Sequence, residues 1–481
     1  MYIEQIYTGC LAQGAYYIES AGEAVIIDPL REVQPYVDRA IKAGANIKYV
    51  LETHFHADFV SGHLDLAKKT GASIVYGPTA EPGFKAHVAK DGEILKVGKV
   101  SIQVLHTPGH TMESSCFLLK DETGKDVAVF TGDTLFIGDV GRPDLAQKAG
   151  VLTMEDLAGY LYDSLRNKLM TLPDDVIVYP GHGAGSACGK NMSKETTSTI
   201  GAQKASNYAL RANMTKAEFV KEVTEGLTTP PKYFPLNVKM NKQGSESFDT
   251  VMERADRGLS PAAFEEAVNA TGAIVLDVRT AQEFSKGFIP NAINISLDGQ
   301  FAPWVGALIM DVQQPIALVT PVDREEEAIT RLSRVGFDNI IGFLNGGMEA
   351  WIDAVREVDQ VRSITPAEYL ETARTSHNKL NLIDVRRVSE YEAEHVRNVK
   401  NYPLDYINDY IGELNRDETY YLYCATGNRS MIAASILKAR GFHHVVDIKG
   451  GIKAMEENGL FDLTNYVCPS TLTVNKEETV A

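Results

Sequence analysis

The second half of the chain repeats itself, and that repeat fixes what the half can fold into. LDVRTAQEF at Leu276–Phe284 returns as IDVRRVSEY at Ile383–Tyr391, 107 residues later. GF at Gly336 returns at Gly441 after 105 residues, and NGGMEAW at Asn345 returns as KGGIKAM at Lys449 after 104. Three matches in one order at nearly constant spacing mark a duplicated domain of about a hundred residues. Within each copy, short apolar runs (AIVLDVR and PIALVT, then KLNLIDVR and TYYLYC) alternate with stretches of helical spacing that end at glycine (EEEAITRLSRVGF, SMIAASILKARGF). That alternation predicts a parallel sheet with helices on both faces. Thr365 reads as a helix N-cap with Pro366 in the first turn.

The first 240 residues have a different rhythm. YYIES, AVIIDP, VSIQVLHTPG, CFLLKD and VAVFTGD are β-rich, and the helical stretches VQPYVDRAIKAG and LDLAKKTG lie between them. Two sheets with helices outside are expected, and NKQGSES (Asn241–Ser247) reads as a polar linker. The 481 residues exceed what one core usually holds, so three domains are expected: 1–243, 244–358 and 359–470, with a polar tail over 471–481. A composition 44% hydrophobic and 23% charged excludes wholesale disorder. A net charge of −17 argues against a nucleic-acid partner. No apolar run reaches the roughly 18 residues of a spanning helix, so no membrane partner is expected. The start, MYIEQIYTGCLAQG, lacks the basic and apolar regions of a secretory signal. Five widely spaced cysteines do not form a disulfide framework. A cytoplasmic location and assembly as a homo-oligomer are the expectations.

Histidine is concentrated early: seven of eleven lie between His54 and His182. THFHADF, directly after the apolar YVLE, sets His54, His56 and Asp58 at alternate positions. His110 in TPGH, Asp133 in FTGD and His182 in YPGH each follow an apolar strand in a turn rich in glycine or proline. Ligand-type residues at successive strand ends converge on one edge of a sandwich. This set resembles the metallo-β-lactamase fold over roughly residues 1–240. Where the usual motif continues Asp-His, this chain has Asp58-Phe59, and a phenyl ring cannot donate to a second metal. ETHFHADFVSG, HTPGHT, TGDTLFIGDVGRPD and PGHG together resemble the persulfide dioxygenases, relatives of glyoxalase II. The resemblance implies one Fe(II) per chain on His54, His110 and Asp133, a two-His-one-carboxylate set that leaves positions for substrate sulfur and O₂. His56, Asp58 and His182 then orient ligands or move protons, and Arg142 of GRPD either binds substrate or pairs with Asp144. Cys188, close in sequence to His182, and Cys10 are candidates for a redox or sulfur relay, while Cys116 reads as core.

The last repeat carries Cys424-Ala425-Thr426-Gly427-Asn428-Arg429 between a strand and a helix. Backbone N–H groups and the positive helix end favour a thiolate or persulfide anion there. Arg429 adds a charge suited to an oxyanion. Four residues separate Cys and Arg, one fewer than in the protein tyrosine phosphatases, and the loop resembles that of the rhodanese sulfurtransferases. The resemblance makes Asp384 and Arg386 of the DVR segment a fold-holding pair. In the middle repeat the aligned loop is Val319–Arg324, with Val319 or Thr320 in the nucleophile's place and no cysteine anywhere, so it resembles an inactive rhodanese. The whole resembles a persulfide dioxygenase followed by an inactive and an active rhodanese domain. Its expected substrates are a low-molecular-weight persulfide and O₂, with sulfite and thiosulfate as products. The rival readings are a zinc thioester hydrolase of the glyoxalase II type and a sulfur-delivery or redox-sensing adaptor in which only Cys424 works.

Overall fold

A computed structural model describes residues 1–376 and 379–467. The polar tail expected at 471–481 lies outside the described residues. The chain forms two compact units, 1–251 with 310–312 and 330–338, and the remainder.

In the first unit six strands from Tyr2–Thr8 to His87–Val88 form one sheet in sequence order, and six from Ile94–Val97 to Ser198–Thr199 form another. Period-two alternation divides each strand between two cores. Tyr16 and Ile18 of strand Gln13–Ser20 point into the layer between the sheets, which Val104, Phe117 and Phe130 fill from the other side. Ala15 and Tyr17 of the same strand point outward, against helix Gln34–Ala43. The second sheet is covered outside by helices Met154–Ser164 and Lys216–Thr224, through Leu161 and Phe219. The result is the expected helix–sheet–sheet–helix sandwich. NKQGSES is not all linker: its first three residues complete helix Phe234–Gln243, where Asn241 is buried. Asn241 has a hydrogen-bonding task there, while Gln243 and Glu246 are exposed.

The second unit holds two five-stranded parallel sheets of the same order. One runs Gly258–Leu259, Ile340–Leu344, Ile316–Val319, Ile274–Asp277, Ile293–Asn294. The other runs Arg362–Ile364, Val445–Ile448, Tyr420–Tyr423, Asn381–Asp384, Lys400–Asn401. The duplication extends to single hydrogen bonds. Arg279 pairs with Asp277 and donates to the Gly287 carbonyl at 2.8 Å; Arg386 pairs with Asp384 and donates to the Glu394 carbonyl at 2.6 Å. The DVR segments therefore brace a strand end in both repeats. Among the described residues no helix is long and apolar enough to cross a membrane.

Thr365 caps helix Pro366–Thr375 as expected, accepting from the Glu368 N–H while Glu368 accepts from the Thr365 N–H. Thr365→Ala removes one arm of this box and is expected to cost about 1 kcal/mol, read as a lowered denaturation midpoint at unchanged m-value.

Candidate metal centre and cysteine loop

Each candidate ligand stands one to four residues past a strand end: His54 after Asn46–Leu51, His110 after Val100–His106, Asp133 after Asp126–Gly132 and His182 after Ile177–Pro180. All four are buried. Donor atoms of His54, His110 and Asp133 lie within 4.8 Å of one another. Asp133 Oδ2 is 3.5 Å from His110 Nε2 and 3.9 Å from His54 Nε2 and has no hydrogen-bond partner. An orphaned carboxylate oxygen between two imidazole nitrogens is what a cation would satisfy, so these residues fit a metal.

The surrounding bonds free the right atoms. His110 Nδ1 donates to the Arg142 carbonyl at 2.8 Å, which leaves Nε2 as the lone pair. The Thr53 hydroxyl donates to Asp28 Oδ2 at 2.8 Å, so it accepts from His54 Nδ1 at 3.0 Å and His54 Nε2 is likewise free. Burial and the neighbouring charge of His56 hold the His54 pKa well down, which keeps it a neutral donor. Asp133 Oδ1 accepts from His182 Nδ1 at 2.7 Å, and His182 Nε2 donates to Asp58 Oδ2 at 2.7 Å. Burial opposes the charge on His182, but the two carboxylates raise its pKa to about 10.

His56 turns away from the three donors. Its Nε2 lies 3.1 Å from Asp28 Oδ1 and 3.4 Å from Glu52 Oε2, and the Phe59 ring lies against it at 4.3 Å. Burial disfavours its charge, yet Asp28 and Glu52 hold its pKa well above the ordinary value. His63 joins this network at 3.6 Å from Glu52. Arg142 uses its side chain on Asp144 at 2.7 and 2.8 Å, and its carbonyl orients His110. Cys10 accepts from Arg334 at 3.6 Å, away from the donors, and Cys116 is core, its thiol pushed up to about 11 by burial.

Asn241 escapes the sequence reading, and Cys188, a relay candidate there, proves to lie beside Asp58 and His182. Asn241 donates to the carbonyls of His56 at 2.8 Å and Phe59 at 2.7 Å and accepts from the Ser61 N–H, so it ties down the whole HFHADF turn. Cys188 lies within 4.8 Å of donor atoms of Asp58 and His182, a second buried set of three. Burial, with Asp58 and Asp133 nearby, raises its thiol pKa well above the ordinary value.

In the last repeat Cys424 follows strand Tyr420–Tyr423 and precedes helix Asn428–Ala439. Its Sγ accepts from the Gly427 N–H at 3.1 Å and lies 3.6 Å from Ser430 Oγ. Gly427 takes φ 102°, which turns the chain into the helix. Arg429 makes a two-pronged pair with Glu390 at 2.6 and 2.7 Å, so an oxyanion must compete with that carboxylate. Cys424 opens on a cavity of about 310 Å³ that both repeats line: Arg387, Glu390 and Arg429 from one, Asp298, Gln300 and Trp304 from the other.

The middle loop departs further from this pattern than its sequence suggests. Asp277 pairs with Val319 as Asp384 pairs with Tyr423, so Thr320 stands in the place of Cys424. Asp323, at φ 65°, replaces Gly427. Glu325, rather than Arg324, then falls where Arg429 falls, and it accepts from the Thr320 hydroxyl at 3.2 Å. The one-residue correction puts a carboxylate where an anion site needs a cation.

The metallo-beta-lactamase superfamily matches residues 8–182, and the rhodanese-like domain matches residues 260–354 and 365–458. The crystal structure of a metallo-beta-lactamase from Staphylococcus aureus subsp. aureus COL superposes with TM-score 0.63 at 32% identity, covering 72% of this chain and 98% of that one. A probable hydroxyacylglutathione hydrolase of Schizosaccharomyces pombe is 35% identical over 167 residues, 34% of this chain and 60% of that protein. The human mitochondrial persulfide dioxygenase ETHE1 is 33% identical over 162 residues, 33% of this chain and 59% of that protein. The chain thus spans about three fifths of the length of these two relatives.

Gly141 passes so close to the centre that a Cβ there would lie 1.9 Å from the Asp133 carbonyl oxygen and 3.1 Å from His110 Nδ1. Gly141→Ala is expected to lower metal affinity about tenfold while the far-ultraviolet dichroism stays native, as checked by metal titration.

Proposed function

We propose, for a chain that belongs to the metallo-β-lactamase superfamily and carries rhodanese-like domains, that it is an iron-dependent persulfide dioxygenase coupled to a sulfurtransferase. The observation that carries this reading is the convergence of His54, His110 and Asp133 with their free lone pairs directed at one another. The net reaction is RSSH + O₂ + H₂O → RSH + SO₃²⁻ + 2H⁺. Iron(II) held by these three residues would supply the redox chemistry that O₂ requires. The chain's own residues do the rest. His182 clamps Asp133 Oδ1 so that Oδ2 faces the two imidazoles, and Asn241 holds the turn that carries His54. Asp58 fixes the far side of His182.

The second half-reaction belongs to Cys424: Cys–S–S⁻ + SO₃²⁻ → Cys–S⁻ + S₂O₃²⁻. The Gly427 N–H and the helix N-terminus stabilise the sulfur anion on both sides of this transfer. Covalent fusion keeps the sulfite acceptor at high local concentration. The middle repeat, with Thr320 and Glu325 in the loop, carries no sulfur.

Two observations favour a second reading, a two-metal thioester hydrolase of the glyoxalase II type: Asp58, His182 and Cys188 offer a further donor set, and the hydroxyacylglutathione hydrolases are also relatives. Metal content separates the two. The dioxygenase is expected to bind one iron per chain, to consume O₂ with a low-molecular-weight persulfide, and to lose both on His110→Ala or Asp133→Ala. Two tightly held metals per chain with hydrolysis of a hydroxyacyl-glutathione thioester would replace this reading with the hydrolase. Cys424→Ser is expected to keep O₂ uptake and to shift the product from thiosulfate to sulfite, about one per O₂, since a serine hydroxyl is a far poorer nucleophile at neutral pH. Unchanged thiosulfate would reassign the sulfur carrier, with Cys188 examined first.

A further inference from the structure

Behind the Cys424 loop lies a buried carboxylate that the sulfur transfer above does not use. Asp447 sits on strand Val445–Ile448 and is fully buried. Its Oδ1 accepts from the Ser430 hydroxyl at 2.6 Å and its Oδ2 from the Ser363 hydroxyl at 2.6 Å. Ser430 Oγ, also 3.1 Å from the Gly427 carbonyl, is 3.6 Å from Cys424 Sγ. One hydroxyl thus links the carboxylate to the thiol.

Among the described residues none places a counter-charge in contact with Asp447. Leu422 faces it across strand Tyr420–Tyr423, Ser363 across strand Arg362–Ile364, and Ser430 from helix Asn428–Ala439. Lys449, two residues on, is the charged group that bears on it, and Cys424 is the titratable one. Arg429, on the same helix as Ser430, is committed to Glu390.

We propose that Asp447 acts through Ser430 as the proton acceptor for Cys424. The Cys424 S–H proton passes to Ser430 Oγ as the Ser430 O–H proton passes to Asp447 Oδ1. The products are a thiolate, a hydroxyl that now donates to it, and a neutral carboxylic acid. No proton leaves the cluster, and the negative charge moves from an apolar pocket to a sulfur that the Gly427 N–H and the helix N-terminus stabilise. When Cys424 leaves after sulfur transfer, the same path returns the proton. Burial supports this role: desolvation, opposed by the two serine hydroxyls, raises the Asp447 pKa to about 6, so it is ionised at neutral pH yet more basic than an ordinary carboxylate.

This inference rests on Cys424 being the reactive thiol of the proposed transfer, and its test does not need the transfer. The full-length protein is treated with iodoacetamide from pH 5 to 9, and the rate at the Cys424 peptide is followed by mass spectrometry. The wild-type profile is expected to show a limb near pH 6. Asp447→Asn keeps the shape and removes the base, so the limb is expected to vanish and the rate at pH 7 to fall about tenfold. Ser430→Ala is expected to do the same with Asp447 intact, and Ser430→Thr to restore the limb. A wild-type profile in Asp447→Asn, or a uniform loss with the limb intact, overturns the relay. So does a wild-type profile in Ser430→Ala. A Cys424 that alkylates with the expected profile but takes up no sulfane sulfur from a persulfide leaves the relay standing and removes the transfer.

Discussion

Asp133 is a carboxylate enclosed by protein on every side, and the first unit is arranged around answering its charge. Burial alone would drive it to the neutral acid, but His182 at 2.7 Å and the imidazoles of His54 and His110 hold its pKa far below the usual range. His182 can carry its proton there because Asp58 closes its other side. Each member needs the next: an isolated charge at this depth would be destabilising by several kcal/mol. The strand ends, the glycine at 141 and the Asn241 brace hold these groups in register, and the unshared oxygen of Asp133 is what remains for a cation.

Much of this was legible. The alternation of His54, His56 and Asp58 after an apolar strand, and the recurrence of His110, Asp133 and His182 at strand ends, place the candidates without coordinates because a strand end and a tight turn leave a local signature. Asn241 left none. It lies 185 residues from the His56 carbonyl it binds, inside a stretch whose polarity imitates a linker. Cys188 reads as a possible relay from its place after His182, but its approach to Asp58 comes from the path of a loop, which no spacing encodes. The middle loop stays open by one residue for a related reason: the flanking motifs leave Val319 or Thr320 in the nucleophile's place, and only the strand register selects Thr320, with aspartate at 323 in the left-handed position where the last repeat has glycine.

The two repeats show what duplication retains. The Asp-Arg clamps survive in both, as does Asn294, which donates to the carbonyls of Asp277 and Arg279 just as Asn401 donates to those of Asp384 and Arg386. These contacts close strand ends and belong to the fold. The loop contacts diverge: in one copy an N–H faces a sulfur, in the other a hydroxyl faces Glu325. The clamps hold the strand ends in both copies whatever the loop carries.

The cavity at Cys424 gives the silent copy a different standing. Asp298, Gln300 and Trp304 reach it from a segment more than a hundred residues upstream of the cysteine. A substitution at Asp298, Gln300 or Trp304 is therefore a substitution in the wall of the cavity that Cys424 faces. The copy without a cysteine thus shapes the space in front of the copy that has one.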